Sequence, residues 1–336
     1  MIQYSCISPI DCTIYSERNF FSFEHADRAI KNAREGQVDW AMVPLQKRIQ
    51  CVVSAVELLK SQTREITLEL AWTMGRPICY GGEIGGVIER TNFLAAAAEK
   101  MLCEEYIENS ERFERYIQRV PLGVVLIIAP WNYPYLTAIN GIAAALISGN
   151  SVVFKPSKQT HLSGERIVSC LHKSGVPEYA LQLMYSDHQL TEELISRRAF
   201  DAVQFTGSVY AGRSIEKAAA GTFIPTVLEL GGKDPGYVME DADIDSAVET
   251  LIDASFFNSG QCCCGIERIY IAENRFNEFL EKSIEVARGY KLGNPLDEAT
   301  KVGPVATEKV AKEVSQQISE ALAMGAKRNL DKIDFE

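Results

Sequence analysis

Three adjacent thiols, Cys262, Cys263 and Cys264, follow the segment Phe256-Phe257-Asn258-Ser259-Gly260-Gln261 and are the side chains here best suited to covalent chemistry. A nucleophilic cysteine needs a partly exposed setting that favours the thiolate, and a glycine just upstream allows the loop that presents it. A buried cysteine cluster is the alternative, because free cysteine is among the most buried residue types. Periodicity does not choose between the two. Three consecutive side chains should point in successive directions, which makes the triplet a poor metal site. The other six cysteines, Cys6, Cys12, Cys51, Cys79, Cys103 and Cys170, are scattered without a CxxC pair. His25, His161, His172 and His188 show no metal-ligand spacing, so neither a metal nor a disulfide framework is expected.

A second group of residues suits a phosphate or a sugar. Ser208 to Gly212 opens a helix directly after a strand, with Gly207 at the turn. Free N–H groups and the helix dipole favour an anion there, although a serine before a helix is also ordinary capping. No GxGxxG fingerprint accompanies it. Lys155 ends another strand beside Pro156 and could reach ribose or phosphate oxygens. The plainer alternative is a solvated lysine at the start of a loop.

These residues need elements to position them. The first hundred residues read helical, with Ala26, Ile30 and Ala33 on one face and Val52, Val56 and Leu59 continuing the same period after a break at Pro44. From residue 123 onward, short Val- and Ile-rich runs at 123–129, 151–154, 181–184, 202–205, 226–230 and 268–271 read as strands. Helical candidates at 160–173, 208–219 and 244–257 lie between them. Such alternation implies an α/β fold with a parallel sheet covered on both faces. Ligands of such sheets bind beyond the carboxyl ends of the strands. The polar punctuation falls there: Pro130-Trp131-Asn132, Lys155-Pro156-Ser157, Thr206-Gly207-Ser208, and Glu229 before Gly231-Gly232.

A length of 336 residues allows one large α/β unit or two domains. The net charge of -11 argues against non-specific nucleic-acid or anionic-membrane binding. Residues 1–15 lack the pattern of a signal peptide, and the longest apolar stretch, 136–147, is too short to span a bilayer. A cytoplasmic protein with neither a nucleic-acid nor a membrane partner is expected.

Five motifs then occur in a recognisable order: Pro130-Trp-Asn132, Lys155-Pro-Ser157, Phe205-Thr-Gly-Ser208, Leu228-Glu-Leu-Gly-Gly-Lys233 and Gly260-Gln-Cys-Cys-Cys264. Their order and spacing, with Glu229 and Cys263 34 positions apart, resemble the NAD(P)-dependent aldehyde dehydrogenase superfamily from about residue 8 to 327. The resemblance implies a Rossmann-like cofactor domain over 1–229 and an α/β catalytic domain over 230–336. It implies oxidation of a small-molecule aldehyde to a carboxylic acid, through a thiohemiacetal and a thioester. Cys263 would be the nucleophile, Asn132 an oxyanion donor together with the Cys263 N–H, and Glu229 the base that activates water. NAD or NADP would lie against Trp131, Lys155, Ser157, Lys158, Gly207, Ser208, Gly212 and Leu230. Many NAD-preferring members carry a carboxylate where Lys158 stands, so tolerance of or preference for NADP is expected. Cys262 and Cys264 would be packing neighbours, with a Cys262–Cys263 disulfide conceivable under oxidation. Tyr135 and Phe257 suggest an aromatic or apolar substrate entrance, or simple packing.

The sequence also departs from the family pattern. A lysine common nine residues after the asparagine is replaced by Gly141, and the usual glycine-containing loop reads Tyr185-Ser-Asp-His188. After Lys327 nothing resembles the later glutamate-x-phenylalanine-glycine-proline motif or the C-terminal strand that completes the family's oligomer. The catalytic domain is therefore expected to be C-terminally incomplete, with uncovered apolar faces and sheet edges. Residues 104–120 resemble the family's oligomerisation hairpin, so a homo-oligomer is implied, but its partner strand is missing. A catalytically impaired remnant that binds nucleotide or a partner subunit without turnover is the alternative.

Overall fold

The computed structural model describes residues 3–330. Residues 331–336, the end of the segment where the family pattern gives way, lie outside the described residues. The chain divides into two compact units, one comprising the residues through Cys6, Glu17–Ile66 and Gly82–Leu230. The other comprises Ile7–Ser16, Thr67–Gly81 and the residues from Gly231 onward.

The chain opens with two strands, β1 (Gln3–Ile7) and β2 (Ile14–Asn19), paired in a two-stranded sheet. This corrects the helical expectation for the first hundred residues. The physical signal is the alternation in β1, where Tyr4 and Cys6 are buried while Gln3 and Ile7 are exposed, a period of two rather than 3.6. Helices α1 (Phe23–Met42), α2 (Leu45–Lys60), α3 (Thr63–Met74) and α4 (Ile84–Met101) follow. The break between α1 and α2 falls at Val43 and Pro44, and the apolar positions read from the sequence are all buried. Strands β3 (Glu105–Asn109) and β4 (Glu114–Ile117) form an exposed antiparallel hairpin with Tyr106 opposite Tyr116.

The core of the first unit is built from β5 (Val124–Ile128), α5 (Pro134–Ile147), β6 (Ser151–Lys155), α6 (His161–Lys173), β7 (Leu181–Leu183), α7 (His188–Ser196), β8 (Ala202–Gly207), α8 (Val209–Ala219) and β9 (Thr226–Leu230). The strands form one parallel sheet in the order β7-β6-β5-β8-β9. Every residue of β5 and β6 is buried, which is why these strands read as unbroken apolar runs. Val124, Leu126 and Ile128 pack with Ala26, Ile30 and Ala33 of α1, Leu194 of α7 and Ile215 of α8. Ile127, on the other face, lies under α5 at Gly141. Because β6 and β7 extend one side of β5 while β8 and β9 extend the other, the strand order reverses between β5 and β8.

In the second unit, β10 (Asp234–Val238), α9 (Ile244–Phe256), β11 (Ile266–Ile271) and α10 (Phe276–Arg288) form a small α/β layer, followed by α11 (Glu308–Ala323). β10 and β11 are parallel, and Val238, Ile244, Val248, Ile252 and Phe279 make the core beneath them. β10 has no counterpart among the strands expected from sequence, since Pro235 and Gly236 are residues that disfavour a strand. The register shifts at Asp234/Pro235, an irregularity that accommodates a residue without an N–H. Tyr237 and Tyr270, paired across the two strands, stand exposed, and so do Val314, Ile318 and Leu322 along one face of α11.

The N-terminus of α5 has no cap of its own, since Tyr133 at that position makes no side-chain capping bond. A buried carboxylate supplies it from elsewhere: Glu83 Oε2 accepts the N–H of Tyr135 at 3.1 Å and of Leu136 at 2.8 Å. Two orphan helix donors and the positive end of the helix dipole are met by one anion. Glu83→Ala is expected to destabilise the first unit by about 2–3 kcal/mol, and Glu83→Gln by less because an acceptor oxygen remains. Urea unfolding of the two variants beside the wild type measures both.

Candidate active site

The parallel ladders set the heights of the residues at the carboxyl edge of the five-stranded sheet. Ile128 pairs with Lys155 on one side and with Phe205 on the other, and Phe205 pairs with Leu228. One step beyond that row, Thr206 pairs with Glu229, and Gly207 with Leu230. Pro130-Trp131-Asn132, Pro156-Ser157-Lys158 and Gly207-Ser208 leave this edge together as the strands end. The edge includes the reversal point between β5 and β8, where open α/β sheets bind ligands.

Lys155 is 8% exposed, so the solvated alternative is overturned. Burial pushes its amine down to about 8, and the nearby Asp187 carboxylate works in the opposite direction. Asp187 also caps α7, accepting the Leu190 N–H at 2.7 Å. The segment after β6 is held from below. The Tyr4 hydroxyl donates to the Pro156 carbonyl oxygen, and the Tyr4 ring packs 5.3 Å from that of Tyr185. The Tyr185 hydroxyl donates to Glu165 at 2.7 Å, and Arg18 grips both oxygens of the same carboxylate at 2.7 and 2.8 Å. Burial would raise the Glu165 carboxyl, but the Arg18 and Tyr185 hydrogen bonds prevail and hold it below the usual carboxylate range. The Tyr185-Ser-Asp-His188 departure is thus an anchored segment that ends in the Asp187 cap of α7.

The start of α8 differs. Ser208 Oγ accepts the Ala211 N–H at 3.2 Å, while Ser208, Val209 and Tyr210 are exposed. A helix N-terminus presented to solvent with a glycine before it suits an anion. Gly212 lets α8 lie close to the sheet, since a Cβ there would meet Leu230 Cδ2 at 2.5 Å. Gly141 has a similar explanation: a Cβ would meet Gln204 Oε1 at 2.7 Å and Ile127 Cδ1 at 2.9 Å. The Gln204 side chain occupies the room a lysine would use. Glu229 is exposed and Trp131 and Asn132 are half-buried. Tyr135 is fully buried, which makes it packing and removes it from any substrate entrance. Asn132, Glu229 and the residues assigned to the cofactor lie in the first unit, whereas Cys263 lies in the second with Phe257, Cys262 and Cys264.

Cys263 lies in the second unit, after α9. Asn258 (φ 55°), Ser259 (φ 59°) and Gly260 (φ 74°) form three consecutive left-handed residues, and a left-handed non-glycine residue costs roughly 1–2 kcal/mol. Polar side chains hold the bend. Asn258 is buried, its Oδ1 accepting from Arg76 Nε at 2.9 Å and its Nδ2 donating to the Gln261 carbonyl at 3.2 Å. Ser259 Oγ accepts the Gly303 N–H at 2.8 Å, and Gln261 Oε1 accepts that of Ala306 at 2.8 Å. Phe257 packs its ring 4.7 Å from Tyr80. A turn then follows in which the Gly265 N–H reaches the Cys262 carbonyl at 3.3 Å.

The turn decides the fate of the thiols. Cys263 and Cys264 are exposed and Cys262 half-buried, so the buried-cluster alternative does not hold. Cys262 Sγ lies 3.3 Å from Cys264 Sγ, and the three sulfurs lie within 4.8 Å of one another. They converge instead of pointing in successive directions, because a turn brings side chains at i and i+2 to one side. The Cys262 hydrogen bond, followed by burial, pushes the Cys264 thiol up to about 12, so Cys264 stays protonated at neutral pH. Sequence reasoning missed Glu83, Arg76, Asn258, Gln261, Tyr4 and Glu165. Asn-Ser-Gly is a turn signal that could have flagged the bend; the partners distant in sequence carry no such signal.

The model of the aldehyde dehydrogenase family matches residues 2–332. The chain is 33% identical over 303 residues to a betaine aldehyde dehydrogenase of Rhizobium leguminosarum, covering 89% of this chain and 62% of that protein. It is 32% identical to an NADP(+) succinate-semialdehyde dehydrogenase of Mycobacterium avium, covering 89% of this chain and 64% of the other. It thus spans less than two thirds of the length of these curated relatives. Among solved structures, glyceraldehyde-3-phosphate dehydrogenase of Methanocaldococcus jannaschii, complexed with NADP, superposes with a TM-score of 0.90 at 28% identity, over 98% of this chain and 73% of its own. By motif, by sequence and by fold, this chain belongs to the aldehyde dehydrogenase family.

Proposed function

We propose that this protein oxidises a small-molecule aldehyde to a carboxylic acid with NAD+ or NADP+. The observation that carries the reading is the level carboxyl edge of the five-stranded sheet, where buried Lys155 and the exposed start of α8 flank the reversal of strand order. Relatives named as aldehyde dehydrogenases, one of them NADP(+)-dependent, support it. A dinucleotide along this edge would supply the hydride acceptor. Lys155 would donate to the adenosine ribose, and the Gly207–Ser208 turn with the free N–H groups of α8 would hold the pyrophosphate. Trp131, Ser157 and Lys158 would line the cofactor on one side, and Gly212 with Leu230 on the other. The exposed hairpin of β3 and β4 would be the element through which copies of the chain pair.

Cys263 would act as the nucleophile, its thiolate forming a bond to the carbonyl carbon as the carbonyl π pair moves onto oxygen. The Asn132 amide and the Cys263 N–H would hold that oxyanion, one such donor being worth about 2.7–4 kcal/mol of barrier. After hydride leaves, the carbonyl re-forms as a thioester on Cys263. Glu229, exposed to water, would take a proton from the water that attacks the thioester and expels the thiolate.

Each role has its own test. Cys263→Ser should lower aldehyde-dependent cofactor reduction about a thousandfold or more. Glu229→Gln should slow steady-state turnover by roughly 10²–10⁴-fold while leaving a rapid first burst of reduced cofactor. Folded protein that binds NAD(P) yet reduces none across a panel of aldehydes would overturn the oxidation and favour a nucleotide-binding chain without turnover.

Lys155 must be charged to hold ribose oxygens, and its amine lies at about 8. Nucleotide affinity should therefore be full below that pH and fall by up to about tenfold per unit above it, and Lys155→Met should flatten the profile. Dissociation constants measured across this range check it; a flat wild-type profile would remove Lys155 from the ribose. With Lys158 exposed where many NAD-preferring members carry a carboxylate, NADP should bind at least as well as NAD. Lys158→Glu should weaken NADP about tenfold, or 1.4 kcal/mol. Wild-type affinity at least tenfold tighter for NAD would sink that reading.

A further inference from the structure

We propose that Cys262, Cys263 and Cys264 together form a trithiolate site for a soft divalent cation of the zinc class. Occupancy of the site withdraws Cys263 from chemistry, a consequence that rests on its reading as the nucleophile. The three sulfurs lie within 4.8 Å of one another, and one pair lies at 3.3 Å. A metal about 2.3 Å from each thiolate in tetrahedral geometry needs sulfur separations of about 3.8 Å. That value lies between the 3.3 Å pair and the 4.8 Å bound on all three, so side-chain rotations of modest size complete the site. Two of the thiols are exposed, which gives an ion a path from solution and leaves the fourth position to water.

The donor set selects the class of ion. Three thiolates without a carboxylate or imidazole favour soft or borderline metals over calcium, magnesium or manganese. The backbone beneath is already fixed by Asn258, Ser259 and Gln261 through hydrogen bonds to Arg76, Gly303 and Ala306, so little ordering remains for the ion to impose. As each sulfur–metal bond forms, the thiol proton leaves to solvent. Three protons are released, the dication and three thiolates sum to one negative charge, and nothing is oxidised or reduced.

The test uses the reduced, metal-free full chain with Co(II) as the optical probe and Zn(II) as the competitor. One Co(II) per chain with a near-ultraviolet thiolate-to-metal charge-transfer band, displaced by Zn(II), is expected. Cys262→Ser, Cys263→Ser and Cys264→Ser should each weaken Zn(II) at least tenfold, while Cys12→Ser and Cys103→Ser, at exposed thiols elsewhere, should not. No charge-transfer band, or Zn(II) affinity in Cys262→Ser and Cys264→Ser equal to that of the wild type, overturns the proposal. Alkylation mapped by mass spectrometry needs no variant: Zn(II) should slow labelling at all three adjacent thiols, and equal labelling with and without Zn(II) overturns the site. A chain that binds Zn(II) as described but oxidises no aldehyde when metal-free upholds the site and removes only the nucleophile reading.

Discussion

The parallel ladder that ties β5 to β6 on one side and to β8 on the other governs the first unit. Parallel strands paired residue by residue all point their carboxyl ends the same way, and the shared register brings Ile128, Lys155, Phe205 and Leu228 into one row. Each chain must then leave the sheet at nearly the same height, so the polar segments that follow have no choice but to gather. The ladder also requires that β5 and β6 be buried on both faces. Lys155, as the last residue of β6, inherits that burial, and its depressed amine follows from where the strand ends.

The second unit relies on a different constraint. α9 must give way within a few residues to an exposed turn, and the chain achieves this with consecutive left-handed residues of which two carry side chains. Such a conformation persists only where its surroundings over-determine it. Here Asn258, Ser259 and Gln261 each exchange hydrogen bonds with a segment distant in sequence, Arg76 in one case and residues 303 and 306 in the others. The result is a hydrogen-bonded bend directly before the three thiols, and the presentation of the triplet depends on the polar residues that hold it.

Much of this was legible beforehand. The apolar runs of β5, β6, β8 and β9 and the helical period of α1, α2, α6 and α8 follow from the residues themselves, because backbone period and side-chain burial are local consequences of one another. The five motifs carried the family and singled out Cys263, Glu229 and Asn132 as candidates. The misses have equally physical causes. β10 was hidden by Pro235 and Gly236, which a bulged start of a strand tolerates. β1 and β2 were hidden because a short half-buried strand has too few residues to establish its period beside long helices.

The sequence by itself determined the alternation of strands and helices, the parallel arrangement that follows from it, and the family to which those motifs belong. Only the tertiary structure decided that Lys155 is buried, that Tyr135 is packing, that Glu83 caps α5 and that the three thiols converge. Burial and hydrogen-bond partners depend on segments that meet in space after being far apart in the chain, as Glu83 meets α5 and Arg76 meets Asn258. No local pattern encodes such a meeting, since the free energy that selects it belongs to the packed whole.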